Sequence, residues 1–143
     1  MNASIIPDGF EPFEYTSPFT EMLAPIYIRR VPPDTVILGL RLERRHCNNA
    51  GVVHGGVIST LADLALIRSV RPPDNSPPTW LTASLGLNFL GGAKEGEWLE
   101  FCSVRKKGGA RMAFATCEIR TAERIVATAN GAFFNFAPAG PKQ

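Results

Sequence analysis

The 143-residue sequence predicts an α+β domain in which one long central helix is wrapped by a curved antiparallel sheet of five or six strands. The run from Val57 to Ile67, after His54-Gly55-Gly56, is apolar on nearly every side, as in a helix buried all round. Strand-like segments stand on both sides of that run. Gly91-Gly92, Gly108-Gly109 and Thr121-Ala122-Glu123 separate the segments that follow it, and such tight connections favour antiparallel neighbours.

Residues 1–18 carry Pro7, Pro12 and Pro18 among scattered aromatics and read as an irregular N-terminal arm, with the domain proper spanning residues 19–143. A short helix is expected at Phe19 to Leu23. Ile26 to Val31 and Thr35 to Glu43 read as strands around the turn Pro32-Pro33-Asp34, with Val36, Leu38, Leu40 and Leu42 alternating against Ile37, Gly39, Arg41 and Glu43. The central helix runs from about Gly55 to Val70 and ends at the proline-rich loop from Pro72 to Pro78. Thr79 to Leu90, Glu97 to Lys106, Arg111 to Arg120 and Arg124 to Phe136 then form an antiparallel meander. In the first of these, Leu81, Ala83, Leu85, Leu87 and Phe89 share a face and predict its core side, with Thr82 on the other.

Apolar residues make up 45% and charged residues 20%, which suits one globular core. A net charge of +2 is too small for a nucleic-acid footprint or a polybasic membrane patch. The uncharged run from Cys47 to Ala62 is neither long nor apolar enough to span a bilayer, and Met1 to Phe10 lacks the layout of a signal peptide. Cys47, Cys102 and Cys117 cannot all pair within one chain and show no CxxC spacing, which predicts a reduced, cytoplasmic setting.

Asp63 is the only charge within the apolar run. A carboxylate on a buried helix costs desolvation energy and aspartate is a mediocre helix former, so chemistry explains it better than stability does. At the other end, the N–H groups after His54 lie at a helix N-terminus, at the positive end of its dipole, and neither Gly55 nor Gly56 has a side chain to block approach. Such donors can stabilise charge developing on a carbonyl oxygen, as an oxyanion hole does. A carboxylate completes the chemistry by attacking the carbonyl or by activating water. Eight helical residues separate Gly55 from Asp63, about 12 Å of rise and roughly 80° of rotation, so they serve one site only if two copies of the chain supply them. The spacing predicts a homodimer with two composite sites.

Asn48, then Gly51-Val52-Val53-His54-Gly55-Gly56, then Leu61-Ala62-Asp63 with its acid nine residues after the histidine, resembles the hotdog-fold acyl-CoA thioesterases of the phenylacetate-degradation (PaaI-like) type. The resemblance spans roughly Phe19 to Phe136. It implies dimers that pair sheets edge to edge and commonly form tetramers. It further implies that the Gly55 N–H polarises a thioester carbonyl and that Asp63 of the opposite subunit is nucleophile or general base. Asn48 would help hold the thioester or water, with Asn49 one register step away; His54 would order the turn, beside Gly56; and Thr82 would position water next to the acid. Arg105, Lys106 and Arg111 around the Gly108-Gly109 hairpin are placed to meet coenzyme A phosphates, against the alternative of a solvated hairpin tip. The implied substrate is an acyl-CoA, with no metal or redox cofactor and no nucleic-acid or membrane partner. Gly91-Gly92 and Ala122-Glu123 depart from the family pattern, away from the proposed chemistry.

Structural readings compete at each position. His54 can simply cap the helix, Asn48 can be a turn residue, and Thr82 an ordinary strand threonine. Asp63 can be a paired structural acid, although Arg68, five residues on, faces elsewhere. Cys47 beside His46 suggests a thiol nucleophile or a zinc site, but lacks the base, orienter or ligand spacing that either needs. At the level of function, the alternatives are a non-catalytic acyl-CoA binding module and a hotdog-fold acyl-thioester hydratase or dehydratase.

Overall fold

The computed structural model describes residues 5–14, 17–72 and 78–137. Its elements in chain order are β1 (Glu11–Pro12), α1 (Pro18–Glu21), β2 (Tyr27–Val31), β3 (Thr35–Arg41), a 3-10 turn (Arg44–His46), α2 (Gly55–Val70), β4 (Trp80–Phe89), β5 (Trp98–Gly108), β6 (Met112–Arg120) and β7 (Ile125–Asn135). The strands form one antiparallel seven-stranded sheet in the order β1-β2-β3-β5-β6-β7-β4. Six of them are the predicted strands. The seventh, β1, belongs to the arm, where Glu11 and Pro12 pair with Ile28 and Tyr27 at the sheet edge.

The meander holds only for β5, β6 and β7. β4 pairs with β7 at the far edge instead of with β5, and β5 pairs with β3. Gly91-Gly92 is therefore no hairpin turn. The chain after β4 crosses beneath the start of α2, where the Val53 N–H donates to Ala93 O (2.8 Å) and Ala93 is fully buried. Burial of that crossing overrides the local turn signal.

Helix α2 lies against the sheet, with Ile58, Leu61, Ala62, Ala65 and Leu66 buried among Leu38, Leu40, Phe101, Ile119 and Phe133. Truncating Leu61, which has no exposed surface, to alanine would cost about 2–5 kcal/mol. The expectation of a helix buried all round needs correction. Thr60, Asp63, Leu64 and Ile67 are only half-buried, so one stripe of the helix stays open in the single chain. An apolar run cannot by itself report which of its faces a single subunit covers. The proline-rich loop expected from Pro72 to Pro78 lies, from residue 73 to 77, outside the described residues.

The arm packs over the outer surface of the sheet. Phe10 meets Trp98 edge to face at 5.2 Å, and Arg41 donates to Ile5 O. Phe13 reaches the core from the same segment.

Candidate active site

The predicted face of β4 requires correction. A bulge places one extra residue, Ala83, between Thr82, opposite Phe133, and Ser84, opposite Ala132. The extra residue reverses the alternation. Leu81, half exposed, pairs with partly exposed Phe134, whereas Leu85 and Leu87 pack on the core together with Trp80. Thr82 shares its row with buried Phe133 and so points to the helix side. There its Oγ1 donates to Asp63 Oδ1 at 2.6 Å. This is a short, charge-assisted hydrogen bond that holds one carboxylate oxygen and leaves the other to act.

At the opposite end of α2, His54 is the N-cap. Its extended backbone (φ −68°, ψ 136°) lets its Nδ1 accept the Gly56 N–H at 2.8 Å, so the proton of the neutral ring sits on Nε2. Both glycines were expected to offer free donors, and here they divide the work. The Gly56 N–H is engaged by His54, whereas among the described residues no acceptor is bonded to the Gly55 N–H. A Cβ at Gly56 would stand 2.9 Å from His54 Nδ1, so the cap requires glycine there. The Phe89 ring lies 3.5 Å from where a Gly55 Cβ would be, forming one wall beside the donor.

Asn48 organises the loop that leads to the cap. Its Oδ1 accepts the N–H groups of Ala50 (2.9 Å) and Val52 (3.3 Å), and Gly51 takes a positive φ of 79° to close the turn. Only its amide NH2 is left to meet a substrate or water. Neighbouring Asn49 is exposed on the same loop. The register Thr82, Phe133, Ala113, Gly108 runs straight across the sheet. At about 4.8 Å per strand, the hairpin bearing exposed Arg105, Lys106 and Arg111 lies roughly 14 Å from Thr82. The Arg68 guanidinium lies over the Phe13 ring at 4.8 Å, and burial lowers its pKa to about 10.

Sequence reasoning weighed His46 only beside Cys47, as part of a thiol or zinc site, and missed its part in the cap. Its carbonyl accepts the His54 N–H at 2.8 Å and its Nδ1 accepts the Glu43 N–H at 2.9 Å, so this wholly buried residue braces the cap. Burial, and then the positive charge of Arg45, push its pKa below the ordinary histidine value. The Glu43/His46 capping-box spacing was the available signal. Cys47 Sγ rests 3.5 Å from Glu43 O, a backbone contact rather than a catalytic pairing. A hollow of about 580 Å³ over Trp98, Glu100 and Arg120, on the outer sheet surface, contains none of the predicted site residues.

Comparison with known proteins gives the family and the fold. The model of the Thioesterase superfamily matches residues 50–128, from the loop before the cap into β7. The protein named "Putative esterase PA0474" from Pseudomonas aeruginosa is 38% identical over 128 residues, covering 90% of this chain and 96% of that protein. Acyl-coenzyme A thioesterase 13 of Mus musculus is 23% identical, covering 76% of this chain and 79% of that protein. Among solved structures, zebrafish thioesterase superfamily member 2 superposes with a TM-score of 0.75 at 23% identity, over 84% of this chain and 88% of that one. The PaaI protein of the E. coli phenylacetic acid degradation operon also gives 0.75, at 17% identity, over 87% and 88%. By its sequence match and its fold alike, the chain belongs to the thioesterase superfamily and has its hotdog fold.

Proposed function

We propose that this chain is an acyl-CoA thioesterase that hydrolyses its substrate to a free acid and coenzyme A in two composite sites of a homodimer. The observation that carries the proposal is Asp63, held by Thr82 through one oxygen on the open stripe of α2. The Gly55 N–H of one subunit binds the thioester oxygen, and the free oxygen of Asp63 from the other works at the carbonyl carbon. Acting as a base, Asp63 takes a proton from water while the hydroxide oxygen bonds to carbon. The oxyanion forms on the Gly55 N–H, the C–S bond breaks, and the departing thiolate takes up a proton. Acting as a nucleophile, the Asp63 carboxylate bonds to the carbonyl carbon, the C–S bond breaks and coenzyme A leaves as a thiolate that takes up a proton. Water then opens the resulting anhydride to the free acid and the restored Asp63.

His54 holds the donor turn, Gly56 shapes it, and the Asn48 amide orients thioester or water, with Asn49 at the loop tip. Arg105, Lys106 and Arg111 receive the coenzyme A phosphates. Dimers pair further into tetramers. The division into an arm, 1–18, and a domain, 19–143, stands as part of this reading, as does a cytoplasmic setting, which the unpaired Cys47, Cys102 and Cys117 support. Among the described residues no helix is long and apolar enough to cross a membrane.

Free-thiol release from acetyl-, octanoyl-, palmitoyl- and phenylacetyl-CoA, with wild type beside Asp63→Asn, tests the assignment. Turnover by wild type that is lost in the variant is the expected result. Tight binding of these compounds without turnover by wild type would instead make the chain a binding module.

A further inference from the structure

A pocket of about 290 Å³ opens between α1 and the first two turns of α2. Phe19, Met22 and Leu23 line it from the α1 side, Gly56, Val57 and Thr60 from the helix, and His54 completes the lining. Phe19 on α1 and Met22 at its C-cap are 59% and 62% exposed, two large apolar side chains side by side at the surface. The Thr60 hydroxyl proton is engaged by Gly56 O at 2.8 Å. No Lys, Arg, Asp or Glu contributes to the lining among the described residues.

We infer that this pocket receives the apolar acyl group of the substrate and that Phe19, Met22 and Leu23 set its preferred length. The inference rests on the thioesterase reading and adds the substrate class to it. Continuity with the donor turn identifies the occupant. A thioester whose oxygen meets the Gly55 N–H presents two substituents to its surroundings, an acyl group and a coenzyme A arm bearing phosphates. An uncharged, apolar pocket beside Gly56 suits the first, while the exposed bases of the β5–β6 hairpin suit the second.

The position of α1 is set by the segment that also sets the cap. Arg45 donates to Met22 O (2.6 Å) and to Ala24 O, and the next residue, His46, holds the His54 N–H. One short turn thus fixes the pocket wall relative to the oxyanion donor.

The test compares kcat/KM for octanoyl-CoA and acetyl-CoA in wild type, Met22→Asp and Met112→Asp. Both methionines are partly exposed, and Met112 lies on the sheet away from the pocket. The octanoyl-to-acetyl ratio should fall about tenfold in Met22→Asp and hold in Met112→Asp. An unchanged ratio in Met22→Asp, or an equal fall in both variants, overturns the inference. Calorimetric binding of the thioether S-octyl-CoA supplies a readout without turnover, so a wild type inactive on every thioester refutes the thioesterase reading alone. In that case a tenfold weaker Kd in Met22→Asp still supports the pocket, and an equal Kd refutes it.

Discussion

Thr82 Oγ1 donates to Asp63 Oδ1 at 2.6 Å across the gap between β4 and α2, and the bulge at Ala83 is what turns that hydroxyl toward the helix. A regular strand in the register of Leu85 and Leu87 would have aimed it at solvent. The bond fixes the carboxylate rotamer on a half-buried face, where an unheld aspartate would sample several. Thr82→Val should therefore lower kcat by roughly 10- to 100-fold, the worth of a hydrogen bond to a charged group, with little change in KM. Thr82→Ser should restore most of the loss, because the hydroxyl and not the methyl makes the contact. Steady-state kinetics of the two variants checks this.

Gly56→Ala should disturb the cap, and through it the donor turn. The new Cβ, 2.9 Å from His54 Nδ1, displaces the imidazole and removes its bond to the Gly56 N–H. Loss of an N-cap costs about 0.5–2 kcal/mol. Thermal unfolding should show His54→Ala destabilised by a similar amount and the double variant no worse than either single one, since both break the same bond.

The two ends of the Asn48 amide can be separated. Asn48→Asp keeps an oxygen for the Ala50 and Val52 N–H groups and loses the NH2 donor. It should melt close to wild type yet hydrolyse more slowly. Asn48→Ala should lose about 1 kcal/mol of stability as well. Melting curves and kcat/KM for the pair make the comparison.

The buried His46 gives stability a defined pH dependence. Its folded pKa lies below the ordinary value of about 6.5, so above that pH both folded and unfolded chains carry it neutral. As the pH falls below about 6.5 the unfolded chain takes up a proton that the folded chain refuses. Stability should then decline by up to about 1.4 kcal/mol per pH unit until the lowered folded pKa is passed. Glu43 and Glu97, whose pKa values are also lowered, add a separate loss at more acid pH, from 4.5 downward. Denaturation between pH 8 and 5 should show the first slope in wild type and its absence in His46→Gln.

How far these features were legible in the chain differs by residue. The helix from Gly55 to Val70 stood out because the mostly apolar run after His-Gly-Gly is too long for a buried strand, and Asp63 stood out as the one charge in that run. The hairpin around Pro32-Pro33-Asp34 followed from plain alternation. The face of β4 did not, because the period-two rule carries no mark of an inserted residue and Ala83 is an unremarkable one. The crossing after β4 was hidden by Gly91-Gly92, whose local preference for a turn yields to the burial of Ala93 against Val53. His46 was read only as a companion of Cys47, and its bracing of the cap was hidden because that work is done largely by a carbonyl, which every residue has.

The pairing of Gly55 from one subunit with Asp63 from the other is the centre of the account, and mixed dimers test it most directly. Gly55→Pro deletes the donor N–H at the first helical position, where proline fits, and the extended backbone of His54 suits a following proline. Asp63→Asn deletes the carboxylate. Each variant alone should be inactive. Mixed one to one by co-expression, half the dimers pair unlike subunits and each of these holds one intact site of two, so activity should return to about a quarter of wild type. No recovery in a preparation that demonstrably contains mixed dimers would place both groups in a single chain's site and contradict the account.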